Sequence, residues 1–326
     1  MKPLKFGVMG CSSFAQRAMI PAILASQGSV LAAVASRQSE KAEAFAQRFG
    51  CDAVTGYEEL LKREDIAAIY MPLPTGLHQE WGSKALKAGK HLLVEKSFAT
   101  DLASAKSMVD LARSKGLIVL ENFLFPHHSQ HAWICEQLNS GVLGELRLFR
   151  TTFGFPPLQP QNFRYQKKLG GGALLDAGAY VLKSSQVFIG DTLRVCGASL
   201  RYDTSFDVDT YGDVMLESAG GVVVQASFGF NYFYQCNYEF LGTRGKLTVD
   251  RAYTPPPGFR PTVRLECQDN TQMITLPADN HYANMVDHFV ALVEEEVDPS
   301  PHLDAIIRQA TYLEEVRNCA LPQTNL

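Results

Sequence analysis

Lys5-Phe6-Gly7-Val8-Met9-Gly10-Cys11-Ser12-Ser13-Phe14-Ala15 sets the reading of the whole chain. Its apolar start predicts a strand over residues 6–9, and the residues after the turn predict a helix over 14–26, kinked by Pro21. Between them lies a degenerate form of the turn G-x-G-x-x-G/A. Gly10 permits a tight turn, and Ala15 lets the helix pack close to the strand. The helix N-terminus then offers free N–H groups and a positive dipole end to a pyrophosphate. Ser12 replaces the middle glycine, so a side chain stands where backbone should approach the phosphates; its hydroxyl could donate to a phosphate oxygen instead. Ser13 and Phe14 complete this candidate cradle, against which a plain glycine turn is the competing reading.

Working outward, strands over 30–35, 67–71, 91–94 and 118–121 alternate with helices over 39–49, 78–88 and 102–115. Solid apolar strands separated by helices predict a parallel sheet buried on both faces. The first domain, 1–121, is therefore expected to be a Rossmann doubly wound α/β sheet that binds a dinucleotide. Beyond it the texture changes. Strands over 146–155, 193–202, 211–217, 221–230, 235–242 and 246–249 are joined by turns, with helices over 129–139 and 174–188 and two last ones over 283–295 and 303–319. This predicts an α+β domain, 122–326, with a mostly antiparallel open sheet, serving substrate binding and oligomerisation. Val222, Val224 and Ala226 are expected on the open face.

Composition excludes several function classes. The chain has 326 residues, 46% hydrophobic and 20% charged, within the range of a globular protein. A formal charge of −4 argues against a nucleic-acid binder, which needs a basic face. Neither a membrane-length apolar run nor a signal peptide is evident. Seven cysteines, odd in number and without a C-x-x-C pair, suit reduced thiols in the cytoplasm and no structural metal site.

The second strand ends in Ala35-Ser36-Arg37, where an NAD enzyme usually carries an acid for the ribose hydroxyls. A hydroxyl and a guanidinium instead suit a 2′-phosphate: Ser36 can hydrogen-bond it, and Arg37 can pair with it and stack on adenine. NADP is the predicted cofactor, with Lys41 as an auxiliary cation and NAD as the alternative.

Three further stretches bear on function: Pro72-Leu73-Pro74-Thr75-Gly76-Leu77-His78, Ala88-Gly89-Lys90-His91-Leu92-Leu93-Val94-Glu95-Lys96, and Gly170-Gly171-Gly172-Ala173-Leu174-Leu175-Asp176-Ala177-Gly178-Ala179-Tyr180. Together they resemble the glucose–fructose oxidoreductase/inositol dehydrogenase (Gfo/Idh/MocA) family, with its patterns T-P-x-x-x-H, A-G-K-H-V-x-x-E-K-P and G-G-G-x-L-x-D-x-G-x-H/Y. The resemblance implies that Lys96 is the active-site lysine. It also implies that Leu73, Pro74, His78, Glu95 and Asn122 line the cofactor. Lys96 ends a strand at the carboxyl edge, where open α/β sheets bind ligands, and its ammonium can polarise a carbonyl. Ser97 departs from the family's proline. A cis bond before a non-proline residue costs about 2.5–4 kcal/mol, so a trans Lys96–Ser97 bond is predicted.

Asp176 and Tyr180 are four residues apart and share a helix face. Hydride delivery to a ketone creates an alkoxide that needs a proton, and Tyr180 can supply it beside a cation such as Lys96. Asp176 either orients Lys96 or a substrate hydroxyl, or satisfies backbone donors in the glycine turn. Arg164 and Tyr165 are candidate substrate contacts, the arginine for a diphosphate. His127-His128-Ser129-Gln130-His131 reads as polar residues at a helix start, with His128 as a further substrate contact. The resemblance is greatest to members acting on nucleotide-sugars. It implies NADPH-dependent reduction of an NDP-linked 3-keto-deoxysugar, with sugar, polyol or NDP-sugar 3-dehydrogenation as the alternative. A cofactor-binding regulator without turnover is the reading from another class. Relatives pair the open faces of their C-terminal sheets, which implies a homodimer, or else a homotetramer.

Overall fold

The computed structural model describes residues 2–203 and 205–320; Met1 and residues 321–326 of the expected domains lie outside that range. Two compact units emerge. One holds the chain up to Phe123 together with Tyr282–Ala310; the other holds Leu124–His281 and the chain from Thr311. Residues 282–310 join the first unit, not the second as expected, because Leu303 and Ile306 enter its apolar core and Phe289 lies 5.6 Å from Phe6.

The first unit is built on six strands: β1 (Leu4–Met9), β2 (Ser29–Ser36), β3 (Asp52–Thr55), β4 (Ala68–Met71), β5 (His91–Val94) and β6 (Val119–Glu121). All pairs are parallel, in the order β3-β2-β1-β4-β5-β6. The order reverses at β1, which places the turn after β1 at the crevice where such sheets receive a dinucleotide. Phe6, Val8, Met9, Ile69 and Tyr70 are fully buried, as a sheet covered on both faces requires.

Residues 13–25 are helical, but not uniformly. Ala15–Met19 is a π-helical turn, and α1 (Ile20–Ala25) follows it with Pro21 in its first turn. A proline there cannot donate to the preceding turn, so the break is a widened turn, not a bend in one α-helix. The other helices are α2 (Ser39–Phe49), α3 (Tyr57–Leu61), α4 (His78–Lys87) and α5 (Leu102–Lys115), the last capped by Asp101, which accepts from Ser104 N at 2.8 Å. The sequence patterns predict neither β3 nor α3.

The second unit carries β7 (Leu146–Gly154), β8 (Leu193–Asp203), β9 (Val208–Ser218), β10 (Val223–Gly229), β11 (Gln235–Gly242), β12 (Lys246–Asp250), β13 (Thr262–Cys267) and β14 (Asn270–Thr275) in one sheet. Its order is β14-β13-β12-β11-β7-β10-β9-β8, antiparallel except for the central pair of β7 and β10. Helices α6 (Ser129–Asn139) and α7 (Ala179–Ile189) belong to this unit, and α7 packs on β7 and β10. Val224 and Ala226 point into the core at 0% and 2% exposure, opposite to expectation. The strand's period of two then turns Gln225 and Ser227 outward, beside Met215 and Asp213 of β9. The chain ends in α8 (His281–Glu294) and α9 (Ser300–Cys319). Among the described residues, no helix is long and apolar enough to cross a membrane.

Candidate active site

In the first unit, the turn after β1 is shaped for a close approach. Gly10 has φ +121°, where L side chains are strained, and a Cβ there would lie 2.9 Å from Leu73 Cδ2. Ser12 Oγ accepts from Ala15 N at 3.0 Å, so the hydroxyl caps the first helical turn and still has its own proton to give. Ser13 is exposed and Phe14 half-buried, its ring 6.1 Å from Tyr282. At the end of β2, Ser36 Oγ accepts from Gln38 N at 3.1 Å, while Arg37 and Lys41 are exposed. Lys41 is near enough to Cys11 to lower its thiol pKa, though burial pushes that thiol up to about 11.

A buried imidazole and a half-buried acid organise the carboxyl ends of β4 and β5. His78 is fully buried, its Nε2 2.7 Å from Leu73 O and its Nδ1 3.0 Å from Ser97 O. Burial pushes its pKa down, so the neutral ring ties the segment after β4 to the one after β5, donating from one nitrogen at a time. Glu95 Oε1 accepts from Tyr70 Oη at 2.8 Å and from Asn122 Nδ2 at 2.6 Å. Burial pushes the Glu95 carboxyl up, and those two hydrogen bonds oppose it. Asn122 Oδ1 is buried without a hydrogen-bond partner among the described residues. A buried acceptor of that kind costs about 1–3 kcal/mol unless a donor arrives, and a carboxamide N–H is one such donor.

Lys96, half-buried, stands two residues beyond the end of β5, after Glu95. The Lys96–Ser97 peptide bond is cis, not trans as predicted. The surroundings account for it: His78 Nδ1 faces the carbonyls of Ser97 and Phe98, and Phe98 N donates to Glu121 Oε1 at 2.8 Å. Backbone groups on the Ser97 side of the bond are thus tied to two side chains distant in sequence.

In the second unit, Tyr180 lies in the first turn of α7, half-buried. Its ring meets Phe153 edge-on at 4.9 Å and lies 5.6 Å from Tyr253 and 6.2 Å from Phe125. Asp176 belongs to a π-helical turn, Leu174–Gly178, immediately before α7. Its Oδ2 accepts from Arg164 Nε at 2.6 Å, with the carboxylate 14% exposed. Arg164, expected to grip a diphosphate, is therefore held by an acid. The amides of the glycine turn are satisfied by Asp209, which sequence reading passed over: its carboxylate accepts from Leu174 N and Ala173 N. Gly172, φ +118°, leaves the space that Asp209 fills, because a Cβ would strike Asp209 Oδ1. Local alternation hides it: within β9 Asp209 shares the phase of the exposed Tyr211, Asp213 and Met215, and a register shift against β8 falls between Tyr211 and Asp209.

Tyr165 is buried; its hydroxyl accepts from Leu158 N at 3.1 Å and its ring stacks on Phe206 at 4.6 Å. It shapes the loop before the glycine run. His128 caps α6 by accepting from Gln130 N on Nδ1, which puts the proton of the neutral ring on Nε2. That Nε2 is buried with no partner among the described residues, a donor in want of an acceptor. His131 is committed elsewhere, with Nδ1 2.8 Å from Tyr238 Oη and a pKa pushed down by burial to about 3. No cluster of three or more His, Cys, Asp or Glu among the described residues could hold a metal ion.

Residues 4–123 match an oxidoreductase family with an NAD-binding Rossmann fold, and residues 131–248 match the GFO/IDH/MocA C-terminal domain. The chain is 40% identical to dTDP-3,4-didehydro-2,6-dideoxy-alpha-D-glucose 3-reductase of Actinomadura kijaniata, over 98% of this chain and 96% of the relative. It is 42% identical to the enzyme of the same name from Saccharopolyspora spinosa, over 97% of each. A crystal structure of a 3-ketoreductase from Actinomadura kijaniata with NADP and TDP-benzene superposes with a TM-score of 0.95, at 40% identity over 98% of both chains. That ketoreductase has also been solved with one lysine and with one tyrosine replaced, at positions spaced as Lys96 and Tyr180 are here.

Proposed function

The chain belongs to the Gfo/Idh/MocA oxidoreductase family, and from that premise we propose that it reduces the 3-keto group of a dTDP-linked deoxysugar with NADPH. One observation carries this reading. Identity of 40–42% with dTDP-sugar 3-reductases extends over nearly the whole chain, and the Lys96 and Tyr180 spacing is kept. The cofactor half suits NADPH: the cradle around Gly10 takes the pyrophosphate, Ser36 and Arg37 take the 2′-phosphate, and Asn122 Oδ1 takes the carboxamide. When bound, NADPH supplies the hydride that adds to the keto carbon.

The chain's own groups manage the charge and the proton. The ammonium of Lys96 stabilises the negative charge that builds on the former carbonyl oxygen. Tyr180 gives its phenolic proton to that oxygen, so the ketone leaves as the alcohol and the phenolate is reprotonated from water. Asp176, held by Arg164, orients a neighbouring sugar hydroxyl, and His128 donates from Nε2 to a substrate oxygen. Relatives at 40–42% identity are reductases, which favours reduction over the dehydrogenase direction.

The test is turnover. With a dTDP-linked 3-keto-2,6-dideoxyhexose, NADPH deuterated at the reactive position should be consumed and its label found at C3 of the product. NADPH binding without consumption, across dTDP-linked 3-ketosugars, would overturn the reading. Seven free thiols fit a cytoplasmic setting.

A homodimer through the outer face of the eight-stranded sheet is part of the proposal, with a tetramer as its extension. Tyr211, Met215, Leu241 and Met273 stand on that face at 38%, 46%, 41% and 64% exposure. Large apolar side chains on an open sheet are best covered by a second copy. Sedimentation should give a species of at least twice the chain mass; a monomer at micromolar concentration would remove the dimer.

A further inference from the structure

A dTDP-sugar carries a diphosphate, and two basic groups of the loop before the glycine run are already neutralised. Asp176 holds Arg164 at 2.6 Å, and Asp207 holds Lys167 at 2.7 Å. Arg251 differs. It follows β12 directly, is exposed, and enters no ion pair among the described residues. Its φ of +55° is uncommon for an L residue, so the turn keeps an arginine where glycine would sit without strain.

The sheet sets where that arginine stands. Gly154 pairs with Gln235 and with Gly229, and Asn237 pairs with Asp250. The end of β7, the loop between β10 and β11 and the end of β12 therefore share one end of the second unit. Two residues beyond Arg251, the Tyr253 ring lies 5.6 Å from that of Tyr180, and two residues of chain span at most about 7 Å. The Arg251 guanidinium lies over the Tyr234 ring, 4.9 Å from its centroid, and Nη1 donates to Tyr234 Oη at 3.1 Å. Tyr234 Oη is itself 3.2 Å from Thr254 Oγ1.

We infer that Arg251 binds the diphosphate of the substrate, and that Tyr234 is the positioning residue that holds its guanidinium ready. In a dTDP-linked 3-ketosugar the diphosphate hangs on C1, one ring carbon removed from the keto carbon. A cation close to Tyr180 is thus within its reach. A guanidinium stacked on a ring keeps its edge for phosphate oxygens, which its planar fork matches in pairs. Anchoring the fork before the ligand arrives removes part of the rotamer entropy that an exposed arginine loses on binding. The contact is made equally before and during hydride transfer, so it lowers KM and leaves kcat alone.

This inference rests on the dTDP-sugar reading, and the test separates the two. dTDP alone is titrated calorimetrically into the NADPH-saturated full chain, Arg251→Ala, Arg251→Lys, Tyr234→Phe and the double variant with Arg251→Ala. Arg251→Ala should weaken dTDP binding by about tenfold. NADPH binding should stay within about twofold, which also reports that the variant is folded. Arg251→Lys should recover only part of the loss. Tyr234→Phe keeps the ring and removes the acceptor; it should cost about threefold, and nothing further in the Arg251→Ala background. In turnover, Arg251→Ala should raise KM for the dTDP-ketosugar and leave kcat within about twofold. Unchanged dTDP affinity, or a fall in kcat at unchanged KM, would overturn the subsite, and additive losses would overturn the role of Tyr234. If the parent chain itself does not bind dTDP, the dTDP-sugar reading falls, and the subsite with it.

Discussion

Lys96→Met is expected to lower kcat for ketone reduction by about 10²–10³-fold while NADPH still binds with near-parental affinity. The substitution keeps an unbranched apolar stem of similar length and removes only the ammonium. Lys96 is half-buried, at the carboxyl end of a strand whose neighbours Val94 and Leu93 are fully enclosed. A charge in such a place acts on a nearby oxygen with less screening than it would in open water. Its contribution grows as negative charge develops on the carbonyl oxygen, so the loss falls on kcat and less on KM. A purely structural lysine would behave differently, with a lower melting temperature and a surviving kcat in the remaining folded protein. Stopped-flow single turnover at saturating NADPH and ketosugar, paired with thermal melts, distinguishes the two. A hydride-transfer rate within about threefold of the parent would remove Lys96 from the mechanism. Lys96→Arg should recover only part of the rate, since a planar fork cannot place its charge where a compact ammonium does.

What local patterns reveal about this chain, and what they hide, follows from the range of the forces involved. The apolar run of β1, its turn and the following helix are short-range features, so the parallel sheet and its cofactor edge are legible from residues 5–15 alone. Strand β3 is not, because Asp52, Ala53 and Thr55 are exposed at the sheet edge and leave no apolar signal. Strand β14 escapes for the same reason, as most of Asn270–Thr275 faces solvent. The parallel pairing of β7 with β10 joins segments far apart in sequence, and no local period encodes which partner a strand takes.

In the candidate site the same division holds. Lys96, Asp176 and Tyr180 stand in motifs and could be read directly. The cis Lys96–Ser97 bond could not, because it is surrounded by His78 and Glu121, side chains from other elements. Asp209 was passed over because its partners are backbone amides remote in sequence. Val224 and Ala226 were placed on the wrong face because a run of three valines hides the strand's phase. A one-residue error in phase exchanges the two faces.

Tyr180→Phe should complement the lysine result, with kcat falling by about 10²–10⁴-fold, the range for loss of a positioned proton donor. The ring makes its contacts with Phe153 at 4.9 Å and Tyr253 at 5.6 Å through carbon, so phenylalanine preserves the packing and the fold. Removing one hydroxyl therefore isolates the proton. Unlike the lysine change, it should raise the solvent isotope effect on the remaining rate, because the proton must then come from water. The decisive measurement is the double variant, Lys96→Met with Tyr180→Phe. Two groups serving one oxygen act as a unit, so the second loss should be far smaller once the first has been taken. Independent groups would multiply their effects instead. Multiplication would mean that the ammonium and the phenol serve different atoms, and that the proton reaches the alkoxide by another route.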